Sequence, residues 1–202
     1  MRKMWVACLV ATGLLVLAGC GKPPEAEIGA ADQSLGEARS AEAGEYAPES
    51  LKAAEDARAQ LDAELKAQED KFALFRSYDK ATELATAAKS AAERAKTDAV
   101  EGRERAREEA SAMIAQVRTS VLEVQQLLDS APKGKGTEAD LAVLRSDLTG
   151  VETALAEMDT AFGEEQYLES IAKAEAAKQS VDAIRGEIER AMEMAKSRRV
   201  RG

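Results

Sequence analysis

Apolar residues recur along this chain at alternating steps of three and four, and this spacing restricts the fold more than any other feature. Such steps place side chains on one face of a helix, where they form a seam against a neighbouring helix. We therefore predict an all-α fold, an extended antiparallel helical bundle or coiled coil. The clearest run holds seven positions in unbroken register: Leu141, Leu144, Leu148, Val151, Leu155, Met158 and Phe162.

The same pattern occurs a second time, and it predicts a tandem repeat of three-helix units. The earlier copy of the run is Leu51, Ala54, Arg58, Leu61, Leu65, Gln68 and Phe72. A following helix is predicted from Tyr78, Ala81, Ala85, Ala88, Ala92 and Ala95, matched later by Tyr167, Ser170, Ala174, Ala177, Val181 and Ile184. A leading helix is predicted from Ile28, Ala31, Leu35 and Ala38, matched later by Val121, Val124, Leu128 and Ala131. The predicted units are residues 28–105 and 106–202.

Prolines and capping residues predict where several of these helices begin. Pro48 suits the first turn of one middle helix, and Thr137 with Asp140 resembles a capping pair at the start of the other. Residues 78–130 contain no proline and no turn cluster. One long helix is therefore predicted there, serving as the last helix of the first unit and the first helix of the second.

The first residues have the character of a secretory signal. Arg2 and Lys3 precede an apolar run from Met4 to Leu17, which is too short to span a bilayer. The sequence Leu17-Ala18-Gly19-Cys20 resembles the lipobox of bacterial lipoproteins. An uncleaved anchor helix is the alternative interpretation of this segment.

The lipobox resemblance implies how the chain is processed and where it resides. It implies a signal peptide at residues 1–19, cleavage before Cys20, and palmitate or a similar acyl chain on this cysteine. Residues 20–27 become an acylated tether. Gly21, where Asp usually signals inner-membrane retention, implies the outer membrane. We therefore expect a lipid-anchored protein of the bacterial cell envelope, at the outer membrane and facing the periplasm.

Composition argues against most catalytic and metal-binding chemistry. The chain has no histidine, which is the commonest general base and the commonest metal ligand. Cys8 leaves with the predicted signal, so it supplies no thiol to the mature chain. Loss of Arg2 and Lys3 lowers the formal net charge from −9 to −11, which disfavours nucleic acid as a partner. We expect no enzymatic activity, no metal site and no cofactor. The basic residues at 196–201 suit the C-terminal end of a helix, and a docking site for an acidic surface is the alternative.

One further resemblance covers about residues 25–95. This part of the chain resembles the helical domain of envelope lipoproteins called domain of unknown function 4398. The resemblance rests on Tyr46-Ala-Pro-Glu-Ser-Leu-Lys-Ala-Ala54, followed by Tyr78-Asp-Lys-Ala81. Some members of that family carry a peptidoglycan-binding domain beside it. We expect none beside it here, so the resemblance implies no direct binding to the cell wall. It also implies no catalytic residue.

Aromatic residues are rare, at 3% of the chain, and they supply the candidate partner-binding residues. In the mature chain, all of them except Tyr46 gather at the second turn of each predicted unit: Phe72, Phe75, Tyr78, Phe162 and Tyr167. One interpretation is a plug that closes the end of the helical hairpin. The other is a recognition tip, because aromatic side chains dominate interface hot spots.

These features predict a non-catalytic, lipid-anchored adaptor or structural spacer of the envelope. We expect it to contact the membrane through the lipid on Cys20 and an envelope protein through its helical faces. Self-association is a further possibility. The alternative function is a carrier or chaperone that holds an apolar ligand between helices.

Overall fold

The computed structural model describes residues 22–131 and 138–201, without the side chains of 138, 139 and 198–201. The prediction of an all-α fold is confirmed, since the described residues form α-helices with one short 3₁₀ turn at Ala73–Phe75 and no strand. The helices are α1 Glu25–Ser40, α2 Ala43–Tyr46, α3 Pro48–Glu69, α4 Asp79–Ser130, α5 Glu138–Gly163 and α6 Tyr167–Arg201.

The chain divides into two compact units, the first ending at Val100 and the second starting at Glu101. The division falls inside α4, which is one continuous helix of 52 residues, as the lack of breakers at 78–130 predicts. The arrangement of the chain as a tandem repeat stays a prediction.

In the first unit, α1 and α3 run antiparallel. Arg58 near the middle of α3 pairs with Asp32 of α1 at 2.5 Å, while Arg39 at the end of α1 pairs with Glu55 at 2.7 Å. The core of this unit is built mainly from alanine, whose small side chain lets helices approach closely. The alanines on the buried face of α4 are at most 3% exposed: Ala81, Ala85, Ala88, Ala92, Ala95 and Ala99.

In the second unit, the later part of α4 packs with α5 and α6 around larger side chains. Arg118 of α4 reaches Asp159 of α5 at 2.5 Å, and Lys173 of α6 reaches Glu157 of α5 at 3.1 Å. The core of this unit includes Val117, Val121, Val124, Leu128, Leu141, Leu144, Leu148, Met158, Val181, Ile184 and Ile188.

The predicted middle helix of the first unit is correct at its start and wrong at its end. It begins at Pro48, which occupies the first turn. It stops at Glu69, so Phe72 is not a seam residue but lies in the following turn with 69% of its surface exposed. At this end of the helix, Arg76 donates a hydrogen bond to the Glu69 carbonyl at 2.8 Å, which satisfies a C-terminal acceptor.

Two predicted features lie outside the described residues. These are the signal with its lipobox cysteine, Cys20, and the capping residue Thr137. Short α2 was not predicted, and it follows Glu42, which adopts a left-handed conformation with φ of 60°. Among the helices of the described ranges, none has both the length and the apolar character needed to cross a membrane.

Candidate functional site

The structure separates the five candidate aromatic residues into an exposed and a buried group. Phe72 and Phe75 are 69% and 76% exposed, whereas Tyr78 and Tyr167 are each only 7% exposed. Phe162 is partly buried and packs against the core of the second unit. The plug interpretation is therefore wrong for Phe72 and Phe75, while the other three rings fill space at the hairpin ends.

The exposed group lies in the turn between α3 and α4. Phe72 and Phe75 lie with ring centroids 6.4 Å apart and ring planes at 50°. Leu74 between them is 77% exposed. We call Phe72, Leu74 and Phe75 the apolar turn.

Hydrogen bonds hold the apolar turn in this conformation. Arg76 donates to the backbone carbonyls of Glu69 at 2.8 Å and Lys71 at 3.0 Å. The Phe75 amide donates to the Phe72 carbonyl at 2.8 Å, which closes the 3₁₀ turn. The apolar side chains are therefore presented by an ordered backbone, which lowers the entropy cost of burying them against another surface.

A buried glutamine connects the same turn to α3. Gln68 is 5% exposed, and its amide nitrogen donates to Glu64 Oε1 at 2.6 Å. Its amide oxygen accepts a hydrogen bond from the Ser77 backbone at 3.1 Å. Gln68 thus fixes the segment that leads from the apolar turn into α4.

The corresponding turn of the second unit is built differently. Phe162 and Tyr167 meet edge to face at 5.4 Å, and the Arg103 guanidinium lies 5.8 Å from the centre of the Tyr167 ring, within range of a cation–π interaction. Helix α5 ends in a Schellman motif, with Glu165 in the left-handed conformation and the Gln166 amide bonded to the Ala161 carbonyl at 2.9 Å. These contacts direct the rings inward.

A second candidate surface is an open groove of about 620 Å³ between α5 and α6. Small side chains line its floor, including Gly150, Ala154 and Ala177. Charged groups border it, among them Glu157 and Lys173. The pKa of the Lys173 ammonium is raised, mainly because it donates a hydrogen bond to Glu157. The groove offers a shallow channel between helices with a charged border.

Acidic side chains of the described residues are grouped as surface ion pairs. Within residues 22–131 and 138–201, no three acidic or cysteine side chains come together as ligands for a metal ion. The carboxylates whose pKa is lowered, such as Glu37 and Glu104, are paired with surface cations: Glu37 with Lys96, and Glu104 with Arg107. Such pairs stabilise a charged surface.

Sequence reasoning missed Leu74, which is as exposed as its aromatic neighbours. Leu74 lies four residues before Tyr78 and so continues the apolar spacing of the following helix, which means that spacing alone gave no signal of its exposure. Cys20, the predicted lipidation site, lies outside the described residues. No protein-family model, no curated protein and no solved structure matches this chain.

Proposed function

We propose that this chain is a lipid-anchored helical adaptor or structural spacer of the bacterial cell envelope, facing the periplasm from the outer membrane. It acts through protein–protein contacts and catalyses no reaction. The lipobox-like Leu17-Ala18-Gly19-Cys20 supports the anchor. Several acyl chains would hold the protein firmly, because each buried methylene contributes about 0.8 kcal/mol.

The alanine face of α4 is the observation that carries this proposal. The six buried alanines that α4 contributes to the first unit are at most 3% exposed, and such side chains bring helices close together and leave little interior volume. Binding is therefore assigned to the outer faces of the helices. Those faces carry ion pairs such as Lys96 with Glu37 at 2.9 Å, and charges of this kind give specificity to a protein interface.

Crosslinking in the native envelope tests the adaptor. The acylated chain would be captured through a C-terminal tag. Mass spectrometry of its N-terminal peptide would detect acyl groups on Cys20. We expect one envelope protein in comparable amount with the acylated chain and a large loss of it with Cys20→Ala. Recovery of only self-crosslinks or wall fragments would contradict the adaptor and leave the spacer.

An enzymatic role would require a different result. Turnover of a substrate by purified Cys20→Ala protein, in proportion to the amount of protein, would overturn the non-catalytic proposal.

The α5–α6 groove favours one alternative, a carrier of an apolar ligand. An apolar fluorescent probe, added to the folded chain, would report binding by an increase in emission. A carrier predicts that Ala176→Leu, which fills the groove, abolishes the increase. The matched substitution Ala115→Leu on an exposed face of α4 would leave it unchanged. Absence of any increase without unfolding would remove the carrier function.

A further inference from the structure

Helix α1 begins at the end of the first unit that carries the apolar turn. Ile28, in the first turn of α1, packs against the cluster of Leu61, Tyr78, Ala81 and Ala85. Tyr78 is the last residue before α4 and follows the apolar turn by three residues. The start of α1 and the apolar turn therefore lie close together in the folded unit.

The relative position of α1 and α4 gives the distance along the unit. Glu37 of α1 pairs with Lys96 of α4 at 2.9 Å, and the two helices run parallel. Counting back twelve residues from Glu37 in α1 and from Lys96 in α4 gives Glu25 and Leu84. These two residues therefore lie at the same height along the parallel helices. Leu84 is five residues after the start of α4, so α1 begins within about 8 Å of the level at which α4 starts. The apolar turn lies just beyond that level, at the same end of the unit.

The predicted lipid attachment point lies near the same end. Cys20 precedes Glu25 by five residues, and five residues span at most about 18 Å. This step rests on the proposed function, since it assumes that Cys20 carries the lipid. With the lipid in a bilayer, this tether keeps the end of the unit that bears the apolar turn at the membrane surface.

We infer that Phe72, Leu74 and Phe75 insert into the bilayer that holds the lipid anchor, as a second membrane contact of the chain. The acyl region of the lipid surrounds these three side chains. The apolar turn is preorganised by Arg76, so insertion requires no refolding of the loop.

The size of the apolar turn favours lipid over a protein partner. Its three side chains present on the order of 500 Å² together, less than the roughly 800 Å² that each side of a stable protein interface buries. A bilayer needs no complementary patch. A protein partner bound at this point would also have to fit between the first unit and the membrane to which that unit is tethered.

The charges beside the apolar turn are compatible with the headgroup region. Glu69 and Asp70 precede the turn, and Lys71 and Arg76 flank it, so the local formal charge balances. Attachment then depends on burial of apolar surface, with the long Lys71 side chain reaching back to the headgroups while Arg76 stays bonded to the turn. Two contacts, the lipid and the turn, would fix the direction of the first unit relative to the membrane, which a single tether does not.

A tryptophan at the apolar turn tests the inference. The chain has one tryptophan, Trp5, which leaves with the predicted signal, so the acylated chain has no tryptophan of its own. In that background, Phe75→Trp reports on the turn, and Val100→Trp is the matched control. Val100 is 59% exposed in the same unit, 21 residues along α4 from Asp79, about 32 Å away.

The acylated full chains would be reconstituted into vesicles of phosphatidylethanolamine and phosphatidylglycerol with brominated acyl chains. Insertion predicts that the tryptophan at 75 shifts its emission to shorter wavelength and loses most of its intensity to bromine. The tryptophan at 100 should do neither. Circular dichroism confirms that both variants fold.

The outcomes separate the inference from the anchor. If the chain carries acyl groups and floats with vesicles, but both tryptophans escape quenching, the insertion is overturned and the anchor stands. A crosslink from position 75 to an envelope protein in that case would assign the turn to a protein partner. If Cys20 carries no acyl group and the chain does not float, the proposed anchor is overturned, and the insertion falls with it.

Discussion

Gln68, Ser170 and Arg58 bring polar atoms into helical seams that are mostly apolar. Ser170 is fully buried, and its hydroxyl donates to the Met158 carbonyl at 3.1 Å. Arg58 donates to Asp32 at 2.5 Å, and this carboxylate raises the pKa of the guanidinium further. Buried polar atoms are tolerated when they are paired, so each of these residues holds one element against another.

Replacing Gln68 should loosen the α3–α4 connection. Gln68→Leu keeps the buried volume but removes the acceptor of the Ser77 amide and the donor to Glu64. We expect a loss of about 1–3 kcal/mol in the free energy of unfolding, because a backbone donor loses its partner. Denaturant unfolding measures this. Gln60→Leu, on the exposed face of the same helix, is the control and should change stability by less than about 0.5 kcal/mol.

Glu64 should make part of the stability depend on pH. Hydrogen bonds from Gln68 and from Lys80 lower the pKa of Glu64 below its ordinary value of 4.5. The unfolded chain then takes up this proton at a higher pH than the folded chain. The contribution of Glu64 is therefore fully present above about pH 4.5 and is lost as pH falls through the lowered pKa.

Melting temperatures measured between neutral and acidic pH check this prediction. In the Glu64→Gln variant, the melting temperature should fall less steeply with decreasing pH, below the ordinary pKa of Glu64, than in the unsubstituted chain. The exposed Glu83 provides a matched Glu→Gln control, which should keep the original slope. An identical slope for both variants would contradict a role for Glu64.

At the scale of elements, the two hairpin turns have different tasks although both are aromatic. Phe75→Ala should leave the free energy of unfolding within about 0.5 kcal/mol of the original value, because the ring is 76% exposed. Tyr167→Ala should lower it by about 3–5 kcal/mol, since a buried ring in contact with Phe162 is lost. Thermal and denaturant unfolding of both variants measure the difference. Equal losses would show that the apolar turn also supports the fold.

The helices were largely predictable from the sequence, whereas the apolar turn was not. Spacing of three and four identifies a helical face, and proline marks the start of α3 at Pro48. Periodicity carries no stop signal, so the register continued to Phe72. At the end of the helix, Arg76 donates to the Glu69 carbonyl and Gln68 accepts from the Ser77 amide, so both bonds join groups several residues apart. Their side-chain directions depend on packing of α3 against α4, which sequence spacing does not encode.

At the scale of the whole molecule, the two units contain cores of different composition. The first unit buries mostly alanine, with Leu35 and Leu61 as its large buried aliphatic side chains among the described residues. The second unit buries a set of larger side chains that includes Leu128, Leu144 and Ile188. Burial of one such side chain contributes about 1.5–3 kcal/mol, while an alanine methyl contributes far less.

Hydrogen exchange should therefore divide the chain into a less protected and a more protected region. Backbone amides of residues 141–158 and 174–188 should outlast those of residues 54–68, because opening the second core exposes more apolar surface. Leu144→Ala should cost about 2–5 kcal/mol and accelerate exchange in the second unit most strongly. Leu61→Ala is its counterpart and should act mainly on the first unit. The contrary result would be equal protection in both regions, with each substitution accelerating exchange in both units alike. It would mean that the two cores open as one cooperative unit despite their different composition.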